Sequence, residues 1–171
     1  MEFFETLKAR HSVRAYADTP VEEEKLEQIL DTVNKAPSAG KLQAFEIYVV
    51  TRAEHRTELV VAASGQDFLA QAPKVLVFCA HPARSAESYG QRGISLYSVQ
   101  DATIACTYAM LAAAALGLST VWVGAFDEDE VRRIINAPEV HRPVAMLPIG
   151  YAAEEPRTRG RRSLADLTHR V

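Results

Sequence analysis

The run Arg10-His11-Ser12-Val13-Arg14 gathers two guanidiniums, an imidazole and a hydroxyl within five positions. In an extended chain, side chains alternate between faces. Arg10, Ser12 and Arg14 then share one face, and His11 and Val13 the other. Two guanidiniums and a hydroxyl on one face suit an anion with several oxygens, and each charge-assisted bond to it contributes roughly 1.5–3 kcal/mol. The competing reading is a solvated loop whose arginines pair with surface carboxylates such as Glu22 or Glu23, at about 0–1 kcal/mol per pair. A second basic group, Arg157, Arg159, Arg161 and Arg162, lies in the tail. It either solubilises the tail or closes on the same anion from the far end of the chain.

Three further segments carry polar groups beside glycine. Residues 36–45 (APSAGKLQAF) form a turn-prone run with Ser38, Lys41 and Gln43 available as contacts, and Gly40 is free to adopt positive φ. Residues 121–126 (VWVGAF) end an apolar strand at Gly124, where the glycine is either a terminator or a point of backbone access for a flat ligand. Residues 88–105 carry Tyr89, Arg92 and Tyr97 with two glycines ahead of a long helix, which suits a lid or a capping loop. Asp101 near that helix start is most simply a partner for the helix dipole.

The elements that must position these groups follow from periodicity. Residues 2–9 read as a short helix with Phe3, Phe4 and Leu7 on one side. Thr19-Pro20 reads as the start of a second helix, with Leu26, Ile29, Leu30 and Val33 as its apolar stripe. Residues 45–51 read as a strand and 53–63 as a helix. Residues 74–80 (KVLVFCA) are nearly all apolar, as in a strand covered on both faces. A long helix spans about 99–116, and 120–123 is another buried strand. Asp127 with Glu130 resembles a capping box, and 144–151 is the last strong strand. Helices separating short buried strands argue for a layered α/β or α+β domain, here one domain of residues 1–171.

Composition excludes several classes. A net charge of −3 gives no basic face, which argues against nucleic acid as a partner. No GxGxxG follows a strand into a helix and no GxxxxGK[ST] occurs, so neither dinucleotide-fold nor P-loop binding is supported. The alanine-rich stretch 102–126 is broken by Gly117-Leu118-Ser119 and reads as a buried core helix followed by a strand rather than a membrane span. Cys79 and Cys106 sit in apolar runs without CxxC spacing and read as core residues in a reducing cytoplasm.

Taken together, the segments 10–14, 36–40, Gln66, Leu96-Tyr97 with Gln100-Asp101, 116–124, and Pro148-Ile149-Gly150-Tyr151 with the basic tail keep the order seen in the nitroreductase-like FMN flavoproteins, which the chain resembles. The resemblance implies an α+β homodimer, a three-layer α/β/α sandwich around a mostly antiparallel sheet, with FMN in the subunit interface. It implies that Arg10, His11 and Ser12 hold the FMN phosphate and that Arg161, or else Arg162, closes on it. Arg14 would lie by the pyrimidine edge, where a positive charge stabilises the reduced ring, and Gln66 would bond the same edge. The backbone of Val123 and Gly124 would reach flavin N5, and Pro37, Ser38, Ala39 and Lys41 would come from the other subunit.

The implied activity is transfer of hydride from NAD(P)H through the flavin to a nitroaromatic, a quinone or free flavin, by a ping-pong use of one pocket. No protein acid, base or metal is needed for it. Other chemistries of the same fold (dehalogenation, flavin fragmentation, ring oxidation) and a non-catalytic flavin-binding module are the alternatives. Two departures stand out. Lys41 occupies a position where the family commonly has Asn, replacing a donor and acceptor by a donor alone. The chain is also compact, with little room for an inserted lid.

Overall fold

Strand β2 (Lys74–Ala80) occupies the range its apolar run predicts, and its alternation sets the layers. Val75, Val77 and Cys79 face one core, while Leu76 and Phe78 face another, all with no solvent exposure. The computed structural model describes residues 1–156 and 160–171. Within it β1 (Phe45–Val50), β2, β3 (Ser119–Thr120) and β4 (Arg142–Gly150) form one antiparallel sheet in the order β1-β2-β4-β3. On the first face lie α3 (Ala53–Ala62), α4 (Phe68–Gln71) and α7 (Glu128–Ile134), contributing Leu59, Leu69 and Val131. On the second lie α2 (Glu23–Val33) and α6 (Ser98–Ala115), contributing Leu26, Ile29, Val33, Ala105, Cys106 and Ala109. This is the expected three-layer sandwich.

Small side chains make the second layer close. Ala102, Ala105, Ala109 and Ala113 are fully buried along one side of α6, letting its backbone approach the sheet. No helix among the described residues is long and apolar enough to cross a membrane. Both cysteines are free and buried, and burial pushes the Cys79 thiol up to about 12. At Asp127 the side chain accepts from the Glu130 amide at 3.0 Å, as the capping signal predicts.

Four places compare directly with the sequence reading. First, α2 begins at Glu23 rather than at Thr19-Pro20. The preceding chain is held extended by pairing: Val13 N–H donates to Thr120 O at 3.1 Å and Tyr16 bridges Ala152. Second, α1 (Phe3–Ala9) forms as read, burying Thr6 and leaving Phe3, Phe4 and Leu7 at 61%, 74% and 44% exposure. Third, residues 88–97 are helical with a kink at Gly90 (φ 53°), not a lid or capping loop. They complete α5 (Pro82–Arg92) and a π-helical turn, Gly93–Tyr97, that runs into α6. Proline at the first position and His81 capping the Arg84 amide start α5. Gly93 is required because a Cβ there would lie 2.5 Å from the Ser85 carbonyl oxygen. Fourth, the strand expected at 120–123 pairs in a ladder only at Ser119–Thr120, after which Val123 exchanges both backbone bonds with Met146 at 3.0 and 2.9 Å.

Candidate cofactor site

The sequence-predicted residues fall into two groups at opposite ends of α6. The first group gathers beyond the β3 edge of the sheet. Ser12 forms a parallel bridge to Thr120, so residues 10–14 run on as an extended edge segment. The alternation expected there appears over residues 12–14, where Val13 is buried and Ser12 and Arg14 are exposed, but not at residues 10 and 11, which are both half-buried and line one cleft. Val13, Tyr16, Val121, Val123, Ala63 and Met146 share one core, which brings the 10–16 segment beside the strand that ends at Gly124.

Arg10 and His11 are half-buried and line a cleft of about 190 Å³ with Ala114, Gly117, Thr120 and Pro156. No hydrogen bond or ion pair engages the Arg10 or Arg14 guanidinium among the described residues, so both remain available to an anion. His11 Nδ1 lies 2.9 Å from Ala9 O and donates to that carbonyl. Gln66, at the turn between α3 and α4, donates from Nε2 to Ala63 O and to Ala125 O, each at 3.1 Å. That pair of bonds fastens the backbone just after Val123 and Gly124.

The tail reaches this group through its backbone. Ala153 N–H donates to Ala15 O, the Arg14 amide donates to the Glu154 carboxylate, and Pro156 enters the cleft. Arg157 and Arg159 lie outside the described residues. Arg162 is committed to Asp166, with Nε 2.7 Å from its carboxylate, within the segment that forms α8 (Leu164–Leu167). Arg161 is exposed and has no ion pair among the described residues, which favours it over Arg162 as the available tail cation.

The second group is the 37–41 loop, and it sits at the other end of α6. The Asp101 carboxylate, 2% exposed, accepts from the Ala39 amide at 2.9 Å and from the Ala44 amide at 3.3 Å. Ser38 Oγ accepts from the Gln43 amide at 2.9 Å. These bonds hold Gly40 and Lys41 at φ of 57° and 59°. The left-handed φ at Gly40 favours glycine, and a Cβ there would lie 2.6 Å from the tip oxygen of Tyr89, which stacks edge-on against Tyr97. The Lys41 side chain is exposed.

Asp101 is the residue the sequence reading undervalued. Its position at a helix start suggested a dipole partner, whereas its carboxylate fixes a loop some 60 residues away in sequence. Asp101→Asn keeps the volume but turns one acceptor into a donor facing an amide. With each charge-assisted bond contributing roughly 1.5–3 kcal/mol, the variant is expected to lose about 2–4 kcal/mol. Thermal unfolding should show it as a Tm lower by several degrees, with faster hydrogen exchange at Ala39 and Ala44 than elsewhere.

Asp101 and Ala114 are about 20 Å apart at the rise of an α-helix.

A model of the Nitroreductase family matches residues 7–66 and 60–151. The Bacillus subtilis protein named FMN reductase (NAD(P)H) is 32% identical over 167 residues, covering 90% of this chain and 67% of the relative. Among solved structures, B. megaterium NfrA2 superposes with a TM-score of 0.91 at 30% identity, over 99% of this chain and 74% of that one. The NADPH:FMN oxidoreductase of Vibrio harveyi, complexed with NAD+, superposes with a TM-score of 0.90 at 26% identity, over 98% and 76%.

Proposed function

This chain belongs to the nitroreductase family, and from that membership we propose that residues 1–171 form a homodimeric, FMN-dependent NAD(P)H oxidoreductase acting on small molecules in the cytoplasm. The observation that carries the reading is the donor set along the β3 edge. The unengaged Arg10 guanidinium is half-buried in a cleft with His11, and the Ser12 hydroxyl and the unengaged Arg14 guanidinium are exposed along the same extended segment, beside the backbone that leads to Gly124. That chemistry fits a phosphate at one end and a polar ring edge at the other.

In this reading Arg10, His11 and Ser12 bind the FMN phosphate, and Arg161 closes over it. Arg14 and Gln66 orient the pyrimidine edge, and the backbone of Val123 and Gly124 faces the ring. FMN, when bound, takes a hydride from NAD(P)H and returns the reducing equivalents to a nitroaromatic, a quinone or a flavin that replaces the nicotinamide in the same pocket. The partner's loop lies over the ring through Pro37, Ser38, Ala39 and Lys41. Lys41 brings a cation to the pocket mouth, which favours acceptors carrying negative charge.

Two features support the dimer. The two groups of site residues lie at opposite ends of α6, and the exposed Phe3, Phe4 and Leu7 of α1 offer apolar surface for a second copy.

The test is spectroscopic. The purified protein is expected to be yellow, with flavin absorbance that bleaches anaerobically on adding NADH or NADPH and returns on adding menadione or a nitroaromatic. A bound flavin that stays oxidised with both nucleotides rejects the oxidoreductase and leaves a flavin-binding module. Products of dehalogenation or flavin fragmentation in place of simple acceptor reduction would reassign the chemistry.

A further inference from the structure

The geometry points to a second site, independent of the flavin: a divalent transition-metal centre formed by Glu46, His81 and His141. Three adjacent strands bring these residues together at one end of the sheet. Glu46 lies on β1, His81 directly follows β2, and His141 directly precedes β4. The register sets Glu46 beside Cys79 and Ala80 beside Arg142, and the His81 amide donates to Ala44 O at 2.8 Å, which ties the strand ends. One ligand atom from each of the three side chains lies within 4.8 Å of the other two, and all three residues are half-buried.

The spacing is informative. Among the described residues no hydrogen bond or ion pair joins Glu46 to either histidine, so the carboxylate and imidazoles converge without satisfying one another. Ligand atoms around a metal with bonds of about 2.0–2.2 Å sit roughly 3–4 Å apart. A small inward turn of side chains already facing one another therefore completes the set.

The surroundings orient the ligands. His141 Nδ1 is 2.6 Å from Tyr48 Oη, the kind of outer contact that fixes a histidine tautomer and leaves the other ring nitrogen for a metal. The rings of His81 and His141 are 4.9 Å apart between centroids. His81 Nδ1 accepts from the Arg84 amide at 3.2 Å, so coordination through this ring releases that cap and loosens the first turn of α5. Two imidazoles, one carboxylate and an open position toward solvent select Zn2+ or Co2+ over Mg2+ or Ca2+. The centre lies at the Ala80 end of β2, about 20 Å from the Lys74 end, where β4 meets β3 and the Ser12 segment.

Untagged, metal-stripped protein titrated with Co2+ alone tests this. The expected result is one equivalent per chain, a visible d–d band of four- or five-coordinate Co2+ that Zn2+ abolishes, and a Kd of about 10 µM or tighter. Glu46→Gln, His141→Gln and His81→Asn should each weaken binding by at least about 30-fold. Asparagine at residue 81 retains a helix-capping acceptor, and melting curves identify any variant that loses binding by unfolding. His55→Ala should bind as the parent does, and the stoichiometry should be the same with FMN bound or removed. No band at millimolar Co2+, binding that survives all three substitutions, or Co2+ displaced by FMN would each overturn the site.

Discussion

Arg10→Ala is expected to weaken FMN binding by about 10- to 100-fold, the equivalent of losing one charge-assisted bond of roughly 1.5–3 kcal/mol. The size of the effect follows from where the guanidinium sits. Arg10 caps α1, is half-buried, and faces a narrow cleft with His11, Thr120 and Pro156, so its bond to a phosphate is partly shielded from water. Arg52, exposed at the start of α3, is the matched control, and Arg52→Ala should leave binding unchanged. Titrating stripped protein with FMN and following fluorescence quenching measures both. Arg161→Ala should fall between them, because in the proposed site that guanidinium would close on the phosphate from an exposed tail. Arg162→Ala should resemble the control, since Arg162 is already held by Asp166. Equal affinities for the Arg10 and Arg52 variants would remove the phosphate assignment.

What was legible in the sequence was local. The 74–80 strand, the Leu26–Ile29–Val33 stripe and the Asp127 cap are each written in a few neighbouring residues, and tertiary packing agrees with them. The errors arise where distant chain overrides a local signal. Thr19-Pro20 is a sound helix start by composition, but pairing of Val13 with Thr120 and Tyr16 with Ala152 keeps that chain extended, and Val21 goes into the core before α2 begins. Gly90 and Gly93 suggested a loop. Gly93 serves packing instead, and Pro82 was the unread sign of a helix. At the site, the alternation of Ser12, Val13 and Arg14 could be read from spacing alone. The Asp101 bonds to Ala39 and Ala44 could not, because nothing local joins a helix start to a loop so far upstream. The Glu46–His81–His141 cluster is invisible in sequence for the same reason: its members are each separated by dozens of residues and meet only through sheet register.

Mixing two defective chains should restore a working site. In the proposed dimer each flavin lies between the Arg10 cleft of one protomer and the 37–41 loop of its partner. An Arg10→Ala homodimer is damaged in both clefts, and an Asp101→Asn homodimer in both loops. In a dimer with one chain of each kind, the cleft of the Arg10→Ala chain meets the loop of the Asp101→Asn chain, so one site carries both lesions. The other site joins an intact cleft to an intact loop. Co-expression with two different affinity tags isolates that species. It should hold one tightly bound FMN per dimer and turn over NAD(P)H at about half the parental rate, well above either defective homodimer. If each flavin were instead served by a single chain, every site in the mixed dimer would carry one lesion, and its rate would only average those of the two parents. The two-chain arrangement is the one proposed because Asp101, which holds the loop, and Ala114, which lines the Arg10 cleft, are about 20 Å apart along α6.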